Sequence, residues 1–128
     1  MPSISILNHL VRPLAMVALL AAGLNGPALA HASLVSSVPA ANSNATKSVQ
    51  EIRLKFSETI EIKLSKVSIK GPQGIVAESA MALDPKDKTV LVLSFAAPLS
   101  PGEYSVDWQA VAADSHKTHG TFSFTVQP

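Results

Sequence analysis

Hydrophobic and polar residues alternate in short segments along the chain after residue 50. In "EIRLKF", residues 51–56, every second side chain is apolar, which is the period of a β-strand with one buried face. The same period recurs in "EYSVDWQAV" and "GTFSFTV". The core-facing residues that this alternation predicts are Ile52, Leu54, Phe56, Tyr104, Val106, Trp108, Ala110, Phe122, Phe124 and Val126.

Turn-forming residues separate these segments at short intervals. "EIKLSKVSIK", residues 61–70, is predicted to be a strand whose apolar phase changes midway, and "TVLVLSF" is an apolar run typical of a further strand. "GPQG", "DPKDK" and "APLSPG" favour turns, and residues 38–48 have the small, polar composition of a loop. Six to eight short strands in about 100 residues are typical of an all-β sandwich.

Residues 1–30 have the organisation of a secretory signal peptide. Arg12 supplies positive charge, residues 14–24 are apolar, and "ALA" at residues 28–30 fits a cleavage site. An uncleaved membrane anchor is the alternative, but a spanning helix needs roughly 20 apolar residues. The chain is therefore predicted to be exported and cut after Ala30, leaving one domain of residues 31–128.

Charge and cysteine content narrow the function of this domain. The chain has ten basic and nine acidic side chains, and removal of Arg12 leaves nine of each. A formally neutral domain has no basic surface of the kind that binds nucleic acid. Cysteine is absent, so a bound metal must have nitrogen, oxygen or thioether ligands.

Histidine is scarce, and two of the four histidines lie close together in the sequence. His9 falls in the signal peptide and His31 would become the first residue after cleavage. His116 and His119 both lie in "DSHKTHG", which joins the last two predicted strands. A polar loop and an accidental histidine at the cleavage site are the alternatives to a metal site.

An N-terminal histidine offers a metal two nitrogens. A free α-amine ordinarily titrates near about 7.7–8 and an imidazole near about 6.5, so both lose protons to a metal near neutral pH. Asp114 and His116 are separated by one residue, so on an extended backbone their side chains point to the same side. His31, Asp114 and His116 are therefore the predicted ligands, whereas His119 is expected to be solvent-exposed or to lie beside the ligands.

A set of nitrogen and carboxylate ligands without thiolate favours Cu(II), which also heads the affinity order of divalent metals. Zn(II) could use the same ligands in tetrahedral geometry. Cu(I) prefers sulfur ligands, and Met81 is the single methionine after residue 30. The sequence therefore predicts one Cu(II) per chain.

Four sequence features together resemble the CopC family of exported copper-binding proteins. They are the opening histidine of "HASLVSSVPA", "FSE" at residues 56–58, G-x-Y-x-V-x-W at 102–108 and D-x-H-x-x-x-G at 114–120. The resemblance implies an immunoglobulin-like Greek-key β-sandwich or barrel of about seven short strands. It also implies a Cu(II) site in the periplasm made by His31, Asp114 and His116.

The resemblance carries two further implications. The glutamate of "FSE" lies near the copper in some members, so Glu58 is expected to be a weak ligand or a hydrogen-bond acceptor beside the ligands. Other members carry a methionine-rich Cu(I) loop between the middle strands, whereas residues 71–88 of this chain contain only Met81. The Cu(I) site is therefore expected to be missing.

The function expected from these features is that of a monomeric periplasmic copper carrier or buffer in copper resistance or homeostasis. Its partner would be an inner-membrane copper transporter or another periplasmic copper protein. One alternative is a copper-dependent oxidative enzyme of the N-terminal-histidine monooxygenase type. The other is a binding module without metal. An anionic Asp114 ligand, which stabilises Cu(II), favours a carrier over an enzyme.

Overall fold

The computed structural model describes residues 31–128, and the predicted signal peptide lies outside the described residues. The strands are β1 (Leu34–Val38), β2 (Asn44–Ala45), β3 (Glu51–Phe56), β4 (Lys66–Gly71), β5 (Gly74–Val76), β6 (Ala80–Leu83), β7 (Val90–Ser94), β8 (Gly102–Val111) and β9 (Lys117–Val126). Seven of these nine strands have four or more residues, and β2 and β5 are shorter. Within residues 31–128, no helix is long and apolar enough to cross a lipid bilayer.

The strands form two sheets that face each other. The first sheet has the order β1-β3-β7-β6, and the second has the order β2-β9-β8-β4-β5. The chain passes from the first sheet at β3 to the second at β4 and β5, returns for β6 and β7, and crosses again for β8 and β9. Neighbouring strands are antiparallel except β2 and β9. The predicted all-β Greek-key sandwich is confirmed.

The alternating residues of β3, β8 and β9 form the core, as predicted. The buried members of this set are Ile52, Leu54, Phe56, Tyr104, Val106, Trp108, Ala110, Phe122, Phe124 and Val126. Phe56 packs edge-on against Trp108, with ring centroids 5.2 Å apart. The Trp108 indole lies over Gly120, where an added Cβ would stand 2.6 Å from the indole. Gly120 therefore gives Trp108 the room to lie flat against β9.

The predicted strand over residues 61–70 is wrong in its first half. Residues Ile62–Leu64 form a 3₁₀ turn, and β4 begins only at Lys66. The buried Ser65 hydroxyl donates to the Glu61 carbonyl (2.9 Å) and accepts a hydrogen bond from the Val111 N–H (3.0 Å). The apolar phase changes at this point because two kinds of local structure meet there.

Ion pairs on the outer face of the first sheet predict acid sensitivity of the fold. Hydrogen bonds from the side chain of Lys55 and from Thr89 hold the pKa of Asp87 well below its ordinary value. A carboxylate with a lowered native pKa stabilises the fold at neutral pH, and this contribution is lost as the pH falls below about 4. We expect the melting temperature of the metal-free domain to fall between about pH 4 and pH 2.

The variant Asp87→Asn checks this assignment. It should have a lower melting temperature than the parent at pH 7, as measured by circular dichroism. Its melting temperature should also fall less than that of the parent on acidification. Glu103→Gln is the matched control, since Glu103 is exposed and has no ion pair among residues 31–128. Equal acid sensitivity of Asp87→Asn and the parent would contradict the prediction.

Candidate metal centre

The connection between β8 and β9 is a tight turn that carries two of the predicted ligands. The Ser115 N–H donates to the Ala112 carbonyl (2.9 Å), and Ser115 has a left-handed conformation with φ of 68°. The backbone between Asp114 and His116 is thus turned and not extended. The predicted reason for their closeness, a shared side of an extended segment, is wrong.

Local hydrogen bonds bring Asp114 and His116 together instead. Asp114 Oδ1 accepts a hydrogen bond from the His116 backbone N–H (3.0 Å), a local turn that aspartate commonly makes with the residue two positions on. Asp114 Oδ2 lies 3.0 Å from Nδ1 of the His116 ring. A carboxylate oxygen of Asp114 and a ring nitrogen of His116 therefore already lie side by side.

His31 reaches the same place from the other end of the domain sequence. Its ring lies edge-on to that of His116, with centroids 4.7 Å apart. One candidate ligand atom from each of His31, Asp114 and His116 lies within 4.8 Å of the other two. Two ligands at about 2.0–2.2 Å from one ion are at most about 4.4 Å apart, so the three atoms lie close to the spacing of ligands that share one ion.

The site is open to solvent, and its Asp114 side chain carries a negative charge at neutral pH. All three residues are exposed. The hydrogen bond from the His116 N–H is the main cause that lowers the pKa of Asp114 below its ordinary value, and the His116 side chain adds to it. Asp114 is therefore ionised at neutral pH and offers a negatively charged oxygen beside two imidazoles.

Glu58 and His119 do not belong to this cluster of ligand atoms within residues 31–128. Glu58 is half-buried and lies two residues beyond the end of β3. His119 is exposed within β9, where it pairs with Gln109. That Glu58 and His119 lie beside the ligands stays a prediction.

Two residues that the sequence analysis did not single out hold the backbone next to His31. Ser57 and Thr118 make hydrogen bonds to residues 31–33, which we call the N-terminal arm. Ser57 lies inside the "FSE" motif, so its position was a usable signal. Thr118 lies within the D-x-H-x-x-x-G stretch but at one of its variable positions, and nothing in the sequence marks it.

A family model described as the CopC domain matches residues 34–127 of the chain. The chain belongs to the CopC family. Among curated relatives, protein YobA of Escherichia coli (strain K12) is 39% identical over 99 residues, which are 77% of this chain and 80% of YobA. Copper resistance protein C of Escherichia coli is 38% identical over 107 residues, which cover 78% of this chain and 84% of that protein.

A solved structure of a copper resistance protein has the same fold. It is the crystal structure of PcoC, a methionine-rich copper resistance protein from Escherichia coli, at 36% sequence identity and a TM-score of 0.69. The match covers 77% of this chain and all of the PcoC chain. The two-sheet architecture described above is therefore similar to that of PcoC.

Proposed function

We propose that this CopC-family protein is a periplasmic carrier or buffer of copper in copper resistance or homeostasis. It binds one Cu(II) through the imidazoles of His31 and His116, a carboxylate oxygen of Asp114 and the freed α-amine of His31. The observation that carries the proposal is the close approach of these three residues to within 4.8 Å. Relatives named copper resistance protein C support copper as the metal.

The chemistry of the ligands favours Cu(II) over Zn(II) and Cu(I). Three nitrogens and one anionic oxygen suit tetragonal Cu(II), which binds such ligands more tightly than Zn(II). Cu(I) prefers sulfur, and among residues 31–128 the single sulfur-containing side chain is Met81. PcoC is a methionine-rich protein, so this chain differs from it in the ligands that it can offer Cu(I).

The same ligands favour carriage over catalysis. An anionic Asp114 stabilises Cu(II) relative to Cu(I) and so opposes the redox cycling that an oxidative copper enzyme needs. All three side chains are exposed at one end of the domain, where a ligand from another protein can approach. An inner-membrane copper transporter or another periplasmic copper protein is the proposed partner, and the proposed processing removes residues 1–30.

The direct test is a Cu(II) titration of the monomeric protein that begins at His31. We expect saturation at one equivalent, with quenching of Trp108 fluorescence. Trp108 lies on the hairpin of β8 and β9 that carries Asp114 and His116. It is three residues before the end of β8, which is a distance of about 10 Å along the strand. Paramagnetic resonance of the loaded protein should report a tetragonal Cu(II) with nitrogen ligands.

The control is His116→Ala, which should show fewer nitrogen couplings in the same spectrum. A competition with Zn(II) should leave Cu(II) bound. The proposal fails if the parent binds no Cu(II) at one equivalent, or if the spectra of the parent and His116→Ala coincide.

A further inference from the structure

The N-terminal arm is hydrogen-bonded to both sheets. Its Ser33 backbone carbonyl accepts a hydrogen bond from the Ser57 N–H, just beyond β3 (2.9 Å). Its Ala32 carbonyl accepts one from the Thr118 hydroxyl in β9 (2.5 Å). The Ala32 side chain between these contacts is fully buried in the core. The residues at the start of a domain usually fray unless they are tied down, so these contacts fix the arm.

The Ser57 hydroxyl is a three-way contact for the arm. It donates to the His31 carbonyl (3.1 Å) and accepts hydrogen bonds from the Ser33 N–H (2.9 Å) and the Ser33 hydroxyl (3.1 Å). One hydroxyl has one proton to donate and two lone pairs, so the hydrogen-bonding capacity of Ser57 is fully used. All of it is directed at residues on either side of Ala32.

Thr118 connects the arm to the other half of the site. It lies two residues after His116, where β9 has already paired with β8, opposite Ala110. The hydrogen bond from Thr118 to Ala32 therefore joins the residue next to His31 to the strand that leads out of His116. Ser57 and Thr118 together link the backbone beside His31 to the end of β3 and to β9.

We propose that Ser57 and Thr118 are positioning residues that hold His31 opposite Asp114 and His116, so that the metal meets a preformed site. This inference rests on the proposed function. A ligand already ordered in its bound position loses less conformational freedom on binding, and the affinity is correspondingly higher. Neither hydroxyl needs to touch the metal for this effect.

The test compares Ser57→Ala and Thr118→Val with the parent that begins at His31, by Cu(II) titration against a competing chelator. Each variant removes side-chain hydrogen bonds but keeps the backbone bond between Ser57 and Ser33. We expect each to weaken Cu(II) binding about threefold to tenfold, the range for loss of one hydrogen bond. Thr118→Ser keeps the hydroxyl and should restore the affinity.

The chain offers matched controls for both substitutions. Ser79→Ala removes a hydroxyl that donates to the Ser94 carbonyl (3.0 Å), and Thr121→Val removes one that contacts Asp107 (2.5 Å). Neither control hydroxyl contacts the arm, so neither variant should change the Cu(II) affinity. A general effect of lost surface hydrogen bonds would instead appear in all four variants.

A double-mutant cycle separates positioning of His31 from a general effect on the fold. In a His31→Ala background, Ser57→Ala should cause no further loss, because the group that it positions is gone. The paramagnetic resonance spectra of Ser57→Ala and Thr118→Val should also contain a component like that of His31→Ala.

Two results would overturn the inference while leaving the proposed function intact. One is parental affinity in both Ser57→Ala and Thr118→Val. The other is an equal loss of Cu(II) affinity from Ser57→Ala in the parent and in the His31→Ala background. If the parent itself binds no Cu(II), the proposed function fails and the positioning role fails with it.

Discussion

Acetylation of the α-amine of His31 is expected to weaken Cu(II) binding about 10²- to 10⁴-fold relative to the protein that begins with a free His31. Acetylation keeps the imidazole but turns the α-amine into an amide nitrogen, and it leaves no terminal amine that could bind the metal in its place. Amine and imidazole belong to one residue, so binding of the first raises the effective concentration of the second. Loss of the amine removes that linked contact, whereas the ligands at Asp114 and His116 stay in place.

The affinity is measured by chelator competition, and the nitrogen couplings are measured by paramagnetic resonance. An amide in place of the Pro128 carboxylate is the matched control, because it removes the other terminal charge without touching the site. The metal-free melting temperatures of both forms should match that of the parent. Equal Cu(II) affinity with and without the acetyl group would remove the amine from the ligand set.

The variant Phe56→Ala is expected to lower the free energy of unfolding by about 3–5 kcal/mol, as is usual for removal of a buried phenyl ring. Phe56 is only 1% exposed and packs edge-on against Trp108. It also ends β3 directly before Ser57, so the cavity would open beneath the N-terminal arm. A domain of this size is stabilised by about 5–15 kcal/mol, so the loss is a large fraction of the total.

Urea unfolding measures the loss, and we expect Trp108 emission to shift to longer wavelength as water reaches the indole. Each kcal/mol lowers the melting temperature by about 4–8 °C in a domain of this size. Val35→Ala is the control, since Val35 is 60% exposed and its truncation should change stability by less than about 0.5 kcal/mol. A loss below about 1 kcal/mol for Phe56→Ala would mean that the core closes around the missing ring.

The sequence predicts most of the sandwich because one buried face imposes alternation. The period of two identifies the inner faces of β3, β8 and β9, including Trp108. It does not identify β2 or β5, which have two and three residues and are too short to show a period. The 3₁₀ turn at Ile62–Leu64 depends on the bond between Ser65 and the distant Val111, which no local pattern encodes.

The candidate site is predicted in its residues more fully than in its geometry. Histidine scarcity and the D-x-H spacing select His31, Asp114 and His116, which the fold brings close together. The turn that joins Asp114 to His116 requires the left-handed Ser115, a conformation that the sequence does not announce. Ser57 and Thr118 act across sequence separations of 26 and 86 residues, and such contacts follow only from the three-dimensional pairing of strands.

Under the proposed function, the bound ion would also have a mechanical role, because it would link the N-terminal arm to the hairpin of β8 and β9. His31 is fastened beside β3, whereas Asp114 and His116 belong to the hairpin of β8 and β9. An ion bound by all three residues would be a reversible cross-link between the arm and the hairpin. The chain has no cysteine, so it cannot form a disulfide there. The copper ion that is delivered would then also be the cross-link. Its release would lower the stability of the protein that delivered it.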